Sequence, residues 1–189
     1  MIYNSVGDIF AANDEIRERI RARVESLDEK QRSFHPDAGT WSVAEIVEHL
    51  AIIEGNMVRL VSKLLGKIES EANEQTPTPM PPFSLDEYAA QVSEVKLEAP
   101  ETIRPGGAPL ADSLARMRAS RAALNALRPR VEAADGTRAE YPHPYFGPLN
   151  VYQWLAFIGM HEERHLGQIE RLLAGMNGAG VDSVRHTVS

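Results

Sequence analysis

The sequence predicts an all-α protein: a four-helix bundle with a long crossover loop between helices two and three. Three observations carry this. Four segments repeat apolar residues every three or four positions, the period of an amphipathic helix, and no segment alternates in the manner of a half-buried strand. A single stretch between residues 70 and 109, rich in proline, glycine and acids, separates the second segment from the third. The chain has 189 residues, enough for one core that buries roughly 70% of the unfolded surface without a covalent staple.

The first helix is expected over Ser5 to Lys30, where Val6, Ile9, Phe10, Ile16, Ile20, Val24 and Leu27 form the inner stripe. A loop carrying His35, Pro36 and Gly39 follows. The second helix opens at "TWSVAEIVEHL", where Ser42 and Glu45 stand at capping-box spacing: the hydroxyl takes a free amide of the first turn and the carboxylate returns to the cap. Its stripe runs from Val43 to Leu65, with fraying expected over Gly66 to Ser70. Within the crossover segment a short helix is expected over Leu85 to Val95. The third helix spans Leu110 to Leu127 and should stop before Pro129. "YPHPYFGPLN" then reads as a stiff, extended connector, because each proline fixes its own φ and restricts the residue before it. Asn150 and Gln153 start the fourth helix, which runs to about Ala174, with Gly175 and Gly178 as terminators. The domain so defined is residues 1–176, and residues 177–189 read as a disordered tail.

Composition narrows the function. The absence of cysteine excludes thiolate metal sites, a cysteine nucleophile and disulfides. A net charge of −7 argues against nucleic acid or an anionic membrane as partner, since both select basic surfaces. The third helix carries Arg116, Arg118, Arg121 and Arg128 without an intervening acid, but no aromatics interleave with them to make a nucleic-acid face. "MIYNSVGDIF" lacks the basic start and apolar run of a signal peptide, and no apolar stretch approaches a membrane span, so a cytoplasmic location is expected.

The chemistry sits in "MHEERHLGQIERLL". His161 and His165 fall on the same arc of the fourth helix as Trp154, Ile158, Ile169 and Leu172, so both imidazoles point into the bundle. Spaced i and i+4, they stack one turn apart and can hold one metal ion. Without a ligand, two neutral core histidines would need four hydrogen-bond partners between them. His49 lies at the edge of the second helix's stripe and can face them. Three protein ligands would leave coordination positions open, the arrangement of a reactive site.

"TWSVAEIVEHL" and "HPYFGPLNVYQWLAFIGMHEERHLGQIERLL" resemble the DinB/YfiT-like superfamily of metal-binding four-helix bundles. The resemblance covers all four helices in order and is most specific from His143 to Leu173. It implies one divalent ion, zinc or nickel by ligand type, held by His49, His161 and His165. It also implies metal-dependent S-transferase or hydrolase chemistry with a small-molecule substrate, a low-molecular-weight thiol such as bacillithiol or mycothiol, and a homodimer. Since the chain has no cysteine, any thiolate would come from such a cosubstrate.

Four further residues are candidates. Glu54, on the apolar stripe after His49, could orient a ligand or act as a base, against the alternative of a carboxylate at a bundle edge. His143, between two prolines, could work at the mouth of the site. Arg121 projects onto the stripe of Leu114, Met117 and Leu124, where it could pair with Glu54, bind an anionic substrate or snorkel to solvent. Gln168, one turn beyond His165, could hydrogen-bond within the site or cap the open end of the bundle. Trp154 and Phe157 read as core. The rival to an enzyme is a non-catalytic, stress-related binding bundle with a structural or vestigial metal site.

Overall fold

In the computed structural model, which describes residues 1–71, 79–93 and 100–185, four long helices make a bundle. They are α1 (Val6–Glu25), α3 (Val43–Ser70), α5 (Leu110–Ala133) and α6 (Val151–Arg185), with shorter α2 (Glu29–Ser33) and α4 (Asp86–Ser93) between them. A 3-10 turn covers Glu101–Ile103. Two short antiparallel pairs complete the fold: β1 (Ile2–Tyr3) with β2 (Phe83–Ser84), and β3 (Glu140–His143) with β4 (Gly147–Asn150).

The helix starts obey local chemistry. Ser42 and Glu45 form the expected capping box, and Asn150 and Gln153 bond each other's backbone amides at 3.0 Å. Ser5 with Asp8 and Asp28 with Gln31 make two more reciprocal boxes. The second of these explains why the expected first helix is two. Asp28 caps a new start, so the chain breaks after Glu25 while Leu27 still reaches the core.

Other boundaries also move. α3 stays helical through Gly66 to Ser70, where fraying was expected, because Leu64, Leu65 and Ile68 are buried and hold its last turns. α5 runs through Pro129 instead of stopping short of it. The proline removes one amide from the ladder, but Val131 is buried beyond it and Arg130 makes a two-pronged pair with Glu69 at 2.7 and 2.8 Å. The connector "YPHPYFGPLN" is a hairpin in which His143 pairs with Gly147, whose φ of 73° suits glycine alone. Its prolines tolerate this because Pro142 and Pro148 face each other in a two-stranded ribbon, where strand edges need no further partner. The short helix α4 lies where one was expected; Val95, its expected end, is outside the described residues. Residues 177–185, expected in the tail, continue the backbone of α6.

The core is divided. One cluster joins the start of α1 and of α6 to the ends of α3 and α5, through residues such as Ile9, Leu65, Leu124 and Leu155. The other joins the opposite ends, through Ile20, Val47, Met117 and Ile169. Hence α3 and α5 run parallel to one another, antiparallel to α1 and α6, and a chain linking them has to travel back along the bundle. Each fully buried aliphatic side chain contributes about 1.5–3 kcal/mol, so these clusters supply the bulk of the stability. Between them lies a polar layer.

Candidate metal centre

Four charged side chains on four different helices meet in that layer: Arg17 of α1, Glu54 of α3, Arg121 of α5 and Glu162 of α6. All are at least 92% buried, with relative exposures of 8%, 2%, 8% and 2%. Arg17 donates to Glu54 at 2.7 Å, to Glu162, and to the Met117 carbonyl at 2.9 Å. Arg121 donates to Glu54 at 3.0 Å, to Glu162 at 3.4 Å and to Asp14 at 3.0 Å, and Ser120 also donates to Glu54. Burial pushes the Glu162 carboxyl upward, against the opposing pull of Arg17 and Arg121. The four formal charges cancel, and their hydrogen bonds go to one another and to Met117, Asp14 and Ser120.

This places Glu54 and Arg121. Both oxygens of Glu54 are taken by Arg17, Arg121 and Ser120, and it is not among the residues that line the cleft beside the histidines. Arg121 pairs with Glu54, as its position on the stripe allowed, and is likewise absent from the cleft wall.

Beside this layer, His49, His161 and His165 come together. His49 and His165 are buried, His161 is half-buried, and one ring nitrogen from each lies within 4.8 Å of the others. His161 Nε2 and His165 Nε2 are 3.2 Å apart. Two nitrogens bound to one tetrahedral zinc at 2.0–2.1 Å would be separated by about 3.3 Å, so the pair is already spaced for a shared ion.

The tautomers fit the same purpose. His49 Nδ1 lies 2.8 Å from the Ile103 carbonyl, which can only accept, so Nδ1 carries the proton and Nε2 presents a lone pair. His165 Nδ1 donates to Gln168 Oε1 at 2.9 Å, leaving its Nε2 bare as well. Each of these histidines is thus held by a partner on its far nitrogen, as ligands of a metal usually are. Burial pushes all three imidazoles below their ordinary pKa; His49 and His165 also disfavour a proton on His161, as His49 does on His165, which falls to about 3. They are therefore neutral at pH 7, the form that binds a metal. The donor set fits a divalent ion.

Gln168 orients a histidine and is not among the residues that line the cleft. His143 does line it. Its ring stacks on Phe146 at 4.4 Å and meets the edge of Phe157 at 4.7 Å. The Tyr145 amide donates to its Nδ1 at 3.2 Å, so the neutral ring carries its proton on Nε2, and burial lowers its pKa to about 4. The cleft has a volume of about 900 Å³. Trp154 and Phe157, expected as core, are buried yet form part of its wall.

Sequence reasoning missed two features. Glu48, next to His49 and buried, accepts backbone amides from Gly106, Gly107 and Ala108 at 2.9–3.0 Å. It straps the segment that delivers the Ile103 carbonyl to His49. An acid in an apolar stripe, with a "PGGAP" run downstream rich in free amides, was the available signal. Arg17 and Glu162 were missed too, although each stands among apolar positions of its helix, as a buried charge must.

Fold and site together define an all-α bundle with a three-histidine cluster, drawn from two helices, that could hold a metal ion. The chain belongs to the DinB superfamily, whose profile matches residues 12–169. It is 26% identical over 155 residues to the uncharacterized protein YuaE of Bacillus subtilis, covering 79% of this chain and 87% of that protein. Among solved structures it is similar to TT2238, a four-helix bundle protein, with a TM-score of 0.58 and 21% identity over 87% of this chain and 98% of that one. It is also similar to YfiT from Bacillus subtilis, described as a probable metal-dependent hydrolase with an unusual four-helix bundle topology. There the TM-score is 0.59 and the identity 20%, over 90% of this chain and 87% of that one. No helix among the described residues is long and apolar enough to cross a membrane.

Proposed function

We propose that the protein is a metal-dependent enzyme of the hydrolase or S-transferase type, with one divalent ion, zinc or nickel, held by His49, His161 and His165. The observation that carries this reading is the pair of imidazoles whose far nitrogens are engaged and whose near nitrogens converge beside an open cleft. The description of YfiT as a probable metal-dependent hydrolase points the same way. A bound ion would supply Lewis acidity and acidify a water or thiol in its open position. With no cysteine in the chain, a thiol would be a small-molecule cosubstrate.

The chain's own residues supply the rest. Ile103 and Gln168 fix the tautomers of His49 and His165, so neither ring has to move its proton on binding. Phe146 and Phe157 pack against His143 and give its side of the cleft an aromatic wall. His143 is neutral at pH 7 with its proton on Nε2, which suits it to donate a hydrogen bond to negative charge developing on a substrate rather than to act as an initial base. Glu54 and Arg121 have no part in this scheme, because the buried charged layer consumes both.

The test is elemental analysis of untagged protein beside the His49→Ala, His161→Ala and His165→Ala variants. About one divalent ion per chain, lost in each variant, is the expected result. No bound metal, and no uptake of zinc or nickel, would remove the enzyme reading and leave a non-catalytic bundle.

A further inference from the structure

The cleft is longer than the histidine site requires, and its two directions differ. On one side the wall carries Arg19, Glu163, Arg164 and Arg171. On the other it follows α3 from His49 through Ile53 and Met57 to Leu60, and α6 back from His161 through Phe157 to Trp154. From His49 to Leu60 is eleven residues of unbroken helix, about 16 Å at 1.5 Å per residue. The same count separates His165 from Trp154 on α6. Because α3 and α6 are antiparallel, both stretches leave the histidines in the same direction and bound one track. Tyr3 and Leu85 continue it, and both belong to the core cluster at that end.

A second observation concerns the rim. Among the described residues the strongly exposed large apolar side chains are Met1, Ile2, Tyr141 and Tyr145. Met1 and Tyr145 line the cleft, and the Tyr141 ring lies 6.5 Å from Trp154 in its wall. Large apolar groups left in water at the mouth of an apolar cleft mark a place where an apolar ligand is handled.

We infer that the substrate carries an extended apolar tail, an alkyl or acyl chain or its equivalent in flat rings, which lies along the α3–α6 track while its reactive head sits at the three histidines. This rests on the proposed metal reading for the head; the tail rests on the track alone. A short polar substrate would leave the track to water against aliphatic and aromatic walls, which its composition disfavours.

The inference is tested with hydroxamates of increasing chain length, whose head groups chelate an open metal position. Affinities of acetohydroxamate, hexanohydroxamate and decanohydroxamate for the zinc-loaded protein are measured by calorimetry. Burial of the tail predicts a gain of about fourfold per fully buried methylene, so decanohydroxamate should bind at least 100-fold more tightly than acetohydroxamate. Leu60→Trp, which fills the far end, should cut the advantage of the longest chain. The second readout uses metal-free Trp41→Phe protein, where Trp154 is the remaining tryptophan and lies in the wall. Decanol should shift its fluorescence. Affinity that stays flat with chain length, or a silent Trp154, would overturn the track. Hydroxamates that fail at every length while decanol still shifts Trp154 would overturn the metal reading and leave the track standing.

Discussion

Two polar clusters lie side by side inside this bundle, and they are built on opposite principles. The charged layer of Arg17, Glu54, Arg121 and Glu162 draws one residue from each long helix, and its donors and acceptors are matched to one another. The histidine cluster draws on α3 and α6 alone; the outward nitrogens of His49 and His165 are satisfied, while the Nε2 atoms of His161 and His165 face each other. Both are buried and both interrupt an apolar core. A polar group that finds its partners within the protein contributes to structure. Lone pairs that converge with no partner of their own make a place for a cation. Burial and perturbed pKa do not separate the two cases; the direction of the unsatisfied atoms does.

The first way to break this comparison is to disturb the charged layer. Arg17→Met leaves Glu54 and Glu162 buried with less compensation, and truncating one side of such a network costs about 3–5 kcal/mol. Urea unfolding should show that loss, with the metal content of the folded fraction unchanged. Arg17→Met combined with Glu162→Leu should recover much of it, because an apolar replacement of both sides removes the stranded charge. Loss of metal in Arg17→Met without loss of stability would mean that the layer serves the site and not the fold.

Acid should act on the histidine cluster in the metal-free protein. In the unfolded chain a histidine takes up its proton near pH 6.5, whereas in the fold His165 does so at about 3. Between these values the unfolded state binds more protons, so stability is full above pH 6.5 and is lost as pH falls, by about 1.4 kcal/mol per pH unit for each such histidine. At pH 5 that amounts to about 2 kcal/mol for His165. Denaturant midpoints of metal-free protein between pH 7 and 5 would show the slope, and His165→Leu should be flatter by this share. Equal slopes would mean that His165 is not held neutral.

How far the sequence exposed all this depended on the kind of feature. The helices, the two boxes at Ser42 and Asn150, and the inward face of His161 and His165 were legible because each is a local pattern of period or spacing. The run through Pro129 was not, since a buried Val131 and the Arg130–Glu69 pair outweigh a local breaker. Nor was the hairpin at His143, whose prolines mask strand pairing. The clustering of the three histidines was readable, but the fate of Glu54 and Arg121 was not. Each sits on an apolar stripe as a site residue would, and only the presence of Arg17 and Glu162 on other helices decides that both are structural.

The smallest effect sharpens the comparison most. Gln168 sits at the edge of the site, and its one visible task is to accept the His165 Nδ1 proton. Gln168→Leu removes that acceptor and lets His165 move its proton to the nitrogen that should bind the ion. Loss of such a partner typically lowers metal affinity 10- to 100-fold, while a half-buried position leaves the fold little changed. Gln168→Glu keeps an acceptor at the same place and should retain the affinity. Competition with a chromophoric chelator separates these outcomes, and the melting temperature of the metal-free variants checks that the fold is intact. Equal affinity in all three proteins would mean that His165 chooses its tautomer without help. The boundary between the closed cluster and the open one would then be set by packing rather than by hydrogen bonds.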